Sequence, residues 1–164
     1  MTHSWVAAAK RACFALVTGA LLVACGGAAQ LADLPVYTNA IELKAGESSI
    51  GDTLNKNMEQ DKAMREAVGV GGKTEQRGFK LPADATWEQV KAFYTEKLKA
   101  AGWSEGMGGI GSDLVNNVMS EVNKSNDMVQ TALFSKGNQT LTVLRAVSPT
   151  NANEVELILS LSTR

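Results

Sequence analysis

One stretch of the sequence has the spacing of a phosphate-binding loop. In AVGVGGKT, Ala67 stands in the place of the first glycine, four residues follow, and the stretch ends in Gly72-Lys73-Thr74. In a phosphate loop a strand leads into a glycine turn that opens a helix, so that free backbone N–H groups and the positive end of the helix dipole meet the phosphate. Taken alone, this spacing would indicate an ATPase or a GTPase.

The flanking residues reverse that order. A helical pattern through Ile50, Leu54 and Met58 precedes the glycines, and KTEQRGFKLP after them has the character of a strand. A phosphate would therefore meet the negative end of a helix dipole. We predict that no nucleotide binds here, and we interpret Gly69 as the helix stop and Gly71-Gly72 as the turn that follows it.

Few other residues offer catalytic chemistry. The only histidine is His3, in an N-terminal segment that we expect to be removed. Glu59 and Asp61 point to different faces of the predicted helix, and Glu154 and Glu156 share a strand face on which we expect solvated charge. We predict no catalytic, cofactor or metal site, and hydrolysis by carboxylates stays open as an alternative.

Methionine and aromatic side chains leave ligand binding open. The methionines show no Met-x-x-Met cluster and suit core filling or an adaptable apolar groove. The aromatic residues could line a pocket, although packing of a helix on a sheet explains their spacing. The methionines beyond the N-terminal segment are Met58, Met64, Met107, Met119 and Met128, and the aromatic set is Trp87, Phe93, Tyr94 and Trp103.

The N-terminal 24 residues have the pattern of a signal peptide. Lys10 and Arg11 precede an apolar run from Ala12 to Ala24, and the segment contains no acidic residue. An apolar run of about 13 residues is shorter than the roughly 20 that span a bilayer as a helix. We therefore expect residues 1–24 to be a cleaved leader and not a permanent transmembrane anchor.

The end of this leader resembles the lipobox of bacterial lipoproteins. Leu22-Val23-Ala24-Cys25 places a branched apolar residue at minus three, a small residue at minus one and then the cysteine. The resemblance implies cleavage before Cys25, a diacylglyceryl thioether on its sulfur, and anchoring of the exported protein to a bacterial membrane. Gly26 after the cysteine is similar to the class sorted to the outer membrane, where the organism has one.

The charge of the mature chain argues against a nucleic-acid partner. Of the 16 basic residues the leader takes Lys10 and Arg11, and it takes none of the 17 acidic ones, which leaves a formal charge of −3. Cys13 is lost with the leader and Cys25 is the lipidation site, so no cysteine pair is left for a disulfide.

The mature chain has room for one domain. We predict a flexible tether over residues 25–33 and a single domain over residues 34–164. Ser48 or Ser49 caps a first helix, and Thr86 with Gln89 forms a capping box for a second. Gly102 is placed to end that second helix in a Schellman motif.

A second resemblance covers much of the domain. LPVYTNAIEL, starting at Leu34, and LPADATWEQVKAFYTEKLKAAGW, ending at Trp103, are similar to segments of small bacterial envelope lipoproteins with LPVYPGA-like starts and V-x-x-F-Y-x-x-x-L-x-x-x-G-W helices. Thr38-Asn39 departs from the Pro-Gly of that pattern. The resemblance implies no catalytic residue.

The remaining elements predict an α+β fold. Three strands alternate at the C-terminal end, in MVQTALFSK, QTLTVLRAV and EVELILSLS, and segments near Val36 and Phe79 complete the sheet. We expect four to five antiparallel strands with two main helices packed on one face. After the glycine-rich loop SEGMGGIGS, Ser112 opens a short amphipathic helix with one apolar face, which we expect to cover the sheet or a groove. That face consists of Leu114, Val115, Val118, Met119 and Val122.

These features favour a binding protein over an enzyme. The leading hypothesis is a lipid-anchored envelope domain that binds a protein or another envelope component, attached to the membrane through Cys25. The alternative is a carrier or sensor of a small apolar ligand, held between the sheet and the helix from Leu114 to Val122.

Overall fold

The computed structural model of the chain describes residues 27–44, 46–67, 72–107, 112–148, 151 and 153–164. The predicted leader, the lipobox with Cys25, and Gly69 and Gly71 lie outside the described residues. The elements, in chain order, are a 3₁₀ turn Leu31–Asp33, β1 Ile41–Leu43, α1 Ser49–Ala67, β2 Lys73–Leu81, α2 Trp87–Ala100, β3 Ser104–Glu105, α3 Ser112–Ser125, β4 Val129–Lys136, β5 Gln139–Val147 and β6 Val155–Thr163.

The predicted α+β class is confirmed, with a difference in strand number. One antiparallel sheet of six strands runs in the order β1-β2-β6-β5-β4-β3. The strand that the sequence did not predict is β3, two residues within the segment expected to be a loop. It forms because Ser104 and Glu105 pair with Ser135 and Phe134 of β4.

Helix α2 forms as its sequence predicts at both ends. The Thr86 hydroxyl accepts from the Gln89 backbone N–H, and the Gln89 side chain accepts from the Thr86 N–H, which completes the capping box. At the other end Gly102 has φ +82°, and the Trp103 N–H donates to the Leu98 carbonyl over 2.9 Å. This is the Schellman geometry, and it folds Trp103 back onto the helix.

The core lies between α2 and one face of the sheet. Inward side chains of the four long strands meet one side of α2, and Trp103 and the 3₁₀ turn close the margins. The central members of this core are Phe79, Val90, Tyr94, Leu98, Phe134, Leu141, Val143, Leu157 and Leu159. The aromatic set predicted from the sequence is therefore mostly core, with Phe93 half-buried against Tyr37.

The first turn of α1 lies on the opposite face, which corrects the prediction of two helices on one face. Gln76 and Glu156 alternate with the core residues of β2 and β6, so their side chains leave the other side of the sheet. Gln76 donates to the Gly51 carbonyl over 3.2 Å, and the Ser48 hydroxyl donates to Glu156 over 2.5 Å. These two hydrogen bonds involve Ser48, just before α1, and Gly51 in its first turn. They attach the beginning of α1 to the outer face of the sheet.

Residues 29–33 are part of the domain and not of a free tether. Leu31 is buried in the core. The Gln139 side-chain amide bonds both backbone groups of Ala29, accepting from its N–H and donating to its carbonyl, each over 2.8 Å. Within the predicted tether over residues 25–33, the chain from Ala29 to Asp33 is therefore attached to the domain, because the Gln139 amide bonds its backbone as a pairing strand would.

The segment with phosphate-loop spacing has the order that the sequence predicts. Helix α1 ends at Ala67, and Lys73 and Thr74 begin β2. Lys73 pairs with Glu75, and the Thr74 hydroxyl lies 3.0 Å from that of Ser162. The side chains of Lys73 and Thr74 thus lie on a strand, where one contacts a residue of β2 and the other a residue of β6.

Replacing Trp103 tests the placement of this side chain. Trp103 is 4% exposed, so Trp103→Ala should lower the free energy of unfolding by about 3–5 kcal/mol, from lost burial and the cavity left behind. Urea denaturation followed by circular dichroism measures the change. Val36→Ala is a matched truncation at a side chain that is 40% exposed; equal midpoints for the two variants would contradict the packing described.

Candidate docking surface on helix α3

Strand β4 leaves part of its outer edge for α3 to complete. Its partner on that side, β3, covers only two residues. Beyond β3 the Asn123 side-chain amide accepts from the Thr131 N–H over 2.8 Å and donates to the Thr131 carbonyl over 2.7 Å. One side chain of the helix therefore satisfies both outward backbone groups of a strand residue.

A glycine allows α3 to lie close to the chain that follows β3. Gly106 is buried with φ +92°, and its N–H donates to the Leu133 carbonyl. A Cβ at this position would lie 2.4 Å from Asn116 Nδ2. The positive φ requires glycine here, and the Asn116 side chain occupies the space that a Cβ would take.

The polar side of α3 faces the sheet edge. Asn116, Met119, Ser120 and Asn123 recur at helical spacing and line a groove of about 260 Å³ against β4. Lys91 and Glu105 pair across this groove over 2.8 Å. Amide, hydroxyl and charged groups thus share its lining with the apolar side chains of Met119, Ala132 and Leu133.

The apolar face of α3 was expected to cover the sheet or a groove, but at Val118 and Val122 it faces outward. Met119, expected on the same face, lines the groove against β4. Val118 and Val122, one turn apart, are 54% and 46% exposed. Met128 and Val129 lie within four residues of the helix end and are 49% and 38% exposed. We call these four residues the α3 surface. The structure describes the α3 backbone at Leu114 but not that side chain.

The turn after α3 fixes the α3 surface to β4. Asn126 Oδ1 accepts from the backbone N–H groups of Met128 and Val129, over 2.9 and 3.1 Å. The Ser125 hydroxyl donates back to the Glu121 and Val122 carbonyls, each over 3.1 Å. Hydrogen bonds therefore hold the turn between α3 and β4, which carries the exposed side chain of Met128.

Arg145 supports the start of α2 and the α3–β4 turn from the central strand β5. Its Nε donates to the Ala85 carbonyl, and a terminal nitrogen donates to Gln130 Oε1, each over 3.1 Å. Burial lowers the pKa of Arg145, while Glu88 and Asp127 nearby favour its charged form. From β5, Arg145 thus bonds both the connection that precedes α2 and the beginning of β4.

The carboxylates that the sequence pairs by spacing lie in different surroundings in the structure. Glu154 approaches Lys80 at 3.8 Å, whereas Glu156 is buried and bonded to Ser48, so the expected solvated pair is corrected for Glu156. The Ser48 hydroxyl also accepts from the Gly51 N–H over 2.7 Å. By accepting from Gly51 the Ser48 hydroxyl caps α1, and by donating to Glu156 it attaches this helix to β6. Glu59 is exposed, and the side chain of Asp61 is not described.

Two further observations concern possible chemistry elsewhere in the described residues. Burial raises the pKa of the Tyr94 hydroxyl, which keeps the phenol neutral inside the core. Among the residues that the structure describes, no group of three or more His, Cys, Asp or Glu is placed to hold a metal ion.

In the described ranges, no helix has both the length and the apolar character needed to cross a bilayer. Comparison of the chain with family models, with curated proteins and with solved structures finds no match.

Asn123 gives a direct test of how α3 is attached. Asn123→Ala removes both bonds to Thr131 and should lower the free energy of unfolding by about 1–3 kcal/mol. The Thr131 amide should exchange with solvent about tenfold faster or more, because each 1.4 kcal/mol of lost protection is a factor of ten.

Asn117→Ala on the same helix is the control, since the Asn117 side chain is exposed. Hydrogen exchange with residue-level resolution separates the two variants. Unchanged protection of Thr131 in Asn123→Ala would show that the helix does not complete the edge of β4.

Proposed function

We propose that this protein is a non-catalytic, lipid-anchored domain of a bacterial cell envelope that binds a protein partner on the α3 surface. The observation that carries this proposal is the outward apolar side of α3, at Val118 and Val122. The helix is attached to the sheet through its polar side, so its apolar side is left for another molecule.

The spacing of the exposed side chains suits a helix-in-groove interaction. Val118 and Val122 are one turn apart and would enter an apolar groove of the partner side by side. Met128 and Val129 extend the contact beyond the helix end. Glu121 and Lys124, paired over 2.8 Å on the rim, would remain hydrated and restrict the partners that fit.

Lipidation at Cys25 would determine where this partner is met. Two or three acyl chains hold a protein at a membrane almost permanently, whereas one chain holds it weakly. A partner in the same envelope layer then meets the domain at a membrane surface, and a modest apolar contact suffices there because anchoring raises the effective concentration.

The described groove supports the carrier alternative less well. Its volume of about 260 Å³ is below the roughly 300–1,000 Å³ of most ligand pockets. The Lys91–Glu105 pair and the Asn116 and Asn123 amides at its lining would lose hydration on contact with an apolar ligand. The exposed Val118 and Val122 therefore favour a partner that packs on the outside of the helix.

Charge placed on the α3 surface should abolish partner binding. In Val118→Asp/Val122→Asp two desolvated carboxylates would oppose an apolar groove, and recovery of the partner after photo-crosslinking in native membranes should fall at least about tenfold. The control Asn117→Asp/Lys56→Gln changes the net charge by the same amount at exposed positions of α3 and α1 that lie outside the α3 surface and its rim.

The two variants make the outcomes distinct. Equal recovery of the partner from both would contradict docking on the α3 surface. Wild-type protein that instead carries a bound mass of a few hundred daltons in native mass spectrometry, on the order of a small ligand, would replace the proposal with the carrier function.

The anchor is tested separately by fractionation. Cys25→Ser should move the protein out of the membrane fraction, because no acyl chain can be attached. Cys13→Ser, within the predicted leader, is the matched control and should leave the membrane-bound share unchanged. A Cys25→Ser protein that stays wholly in the membrane would contradict lipidation at this residue.

A further inference from the structure

The bond between Ala29 and Gln139 fixes which end of the sheet lies nearest Cys25. Ala29 is bonded through both backbone groups to the Gln139 amide, at the start of β5. Four residue steps lead from Cys25 to Ala29, and an extended chain of that length reaches at most about 14 Å. If Cys25 is lipidated, the end of the sheet at Gln139 must lie close to the bilayer.

This end of the sheet carries a concentration of basic side chains. In the sheet register Gln139 pairs with Lys136 and with Thr163, and Thr163 pairs in turn with Lys73. Arg164 follows Thr163, and its N–H donates to the Asn138 carbonyl over 3.1 Å. Lys73, Lys136 and Arg164 are thus brought together at one end of the sheet, where β2 begins and β4 and β6 end.

Helix α2 brings two more cations to the same end. Lys136 Nζ donates to the Ala101 carbonyl over 2.8 Å, so the last turn of α2, with Lys97 and Lys99, lies beside the end of β4. We call Lys73, Lys97, Lys99, Lys136 and Arg164 the basic end.

Only part of this charge is neutralised locally. Glu75 pairs with Lys73, and Glu96 pairs with Lys97 over 3.3 Å. Within the described residues no carboxylate side chain forms an ion pair with Lys99, Lys136 or Arg164.

The opposite end of the sheet carries acidic groups. Leu81 pairs there with Val155, next to Glu154. Asp127 precedes β4, and Glu88 lies in the first turn of α2. Lys80 approaches Glu154 over 3.8 Å, and Arg145 lies near Glu88 and Asp127, so the carboxylates outnumber the cations beside them. The domain therefore has a charge asymmetry along its strands, although the mature chain is acidic as a whole.

We propose that the basic end rests on the anionic headgroups of the membrane and so orients the domain with the α3–β4 turn pointing away from the bilayer. This inference rests on the proposed lipid anchor, which brings Gln139 to the surface. Headgroup charge attracts lysine and arginine within about a Debye length, roughly 8 Å at physiological salt. A tether of four residues keeps the basic end within reach of that layer.

Vesicle binding by the unlipidated chain tests the basic end without the anchor. All described contacts begin at Ala29 or later, so residues 25–164 with Cys25→Ser keep every one of them. Sedimentation with phosphatidylcholine vesicles containing about one-third phosphatidylglycerol, compared with pure phosphatidylcholine, measures the dependence on headgroup charge. Binding should be confined to the anionic vesicles and should be lost at about 0.5 M salt, where screening is short-ranged.

A pair of variants assigns that binding to the basic end. Lys99→Gln/Arg164→Gln should weaken it about tenfold or more. The control Lys80→Gln/Lys124→Gln removes the same charge from the far end of β2 and from the last turn of α3, and should leave binding within about twofold of the parent chain. Circular dichroism melts confirm that both variants are folded.

Each outcome decides the proposal. Loss of binding in the first variant alone supports it. Equal binding by both variants, equal binding to neutral and anionic vesicles, or no binding by the parent chain overturns it. Because this assay contains no acylated protein, its failure is distinct from a failure of the Cys25→Ser fractionation, which concerns the anchor alone.

Discussion

The outward backbone groups of β4 set the constraint on which much of the structure depends. A sheet edge must hydrogen-bond to water or to another element, and a long unpaired edge invites association with other chains. Here β3 pairs with two residues of β4, and Asn123 bonds Thr131 in the manner of a strand residue. Because Asn123 belongs to α3, satisfying the edge also determines which side of that helix faces the protein.

The orientation of α3 follows from this bond. Asn116 and Asn123 are two turns apart on the helix and must both face the edge of the sheet and Gly106. Val118 and Val122 project from a different side and remain exposed. An amphipathic helix normally buries its apolar stripe. Here the bonds at the strand edge turn Val118 and Val122 away from the sheet, and these are the side chains on which the proposed partner would pack.

Local patterns in the sequence predicted most of the elements. The capping box at Thr86 and the Schellman motif at Gly102 involve residues within six positions of one another, and both are confirmed. The long strands alternate because one face of each is buried. By contrast, the bond between Ala29 and Gln139 joins residues 110 positions apart. A side-chain amide that substitutes for a strand leaves no periodic pattern, so the docked start of the domain was predicted to be a tether.

The contrast between local patterns and contacts of distant residues also explains what could be predicted of the candidate site. The amphipathic pattern from Leu114 to Val122 predicted the helix, but the expectation that its apolar face covers the sheet or a groove was wrong at Val118 and Val122. Periodicity describes a stripe without saying what covers it. The side of α3 that faces the sheet is decided by Asn123 and Gly106. Both of them hydrogen-bond to β4, Asn123 to Thr131 and Gly106 to Leu133. Lipidation of Cys25 remains a prediction from the sequence alone.

The two surfaces lie at opposite ends of β4. That strand begins at Val129, within the α3 surface, and ends at Lys136, within the basic end. Seven residue steps at about 3.3 Å separate the two ends by about 23 Å. An envelope domain that rests on headgroups through Lys136 would therefore display Val129 and the end of α3 well above them. A partner could then pack on apolar side chains that the membrane itself does not cover.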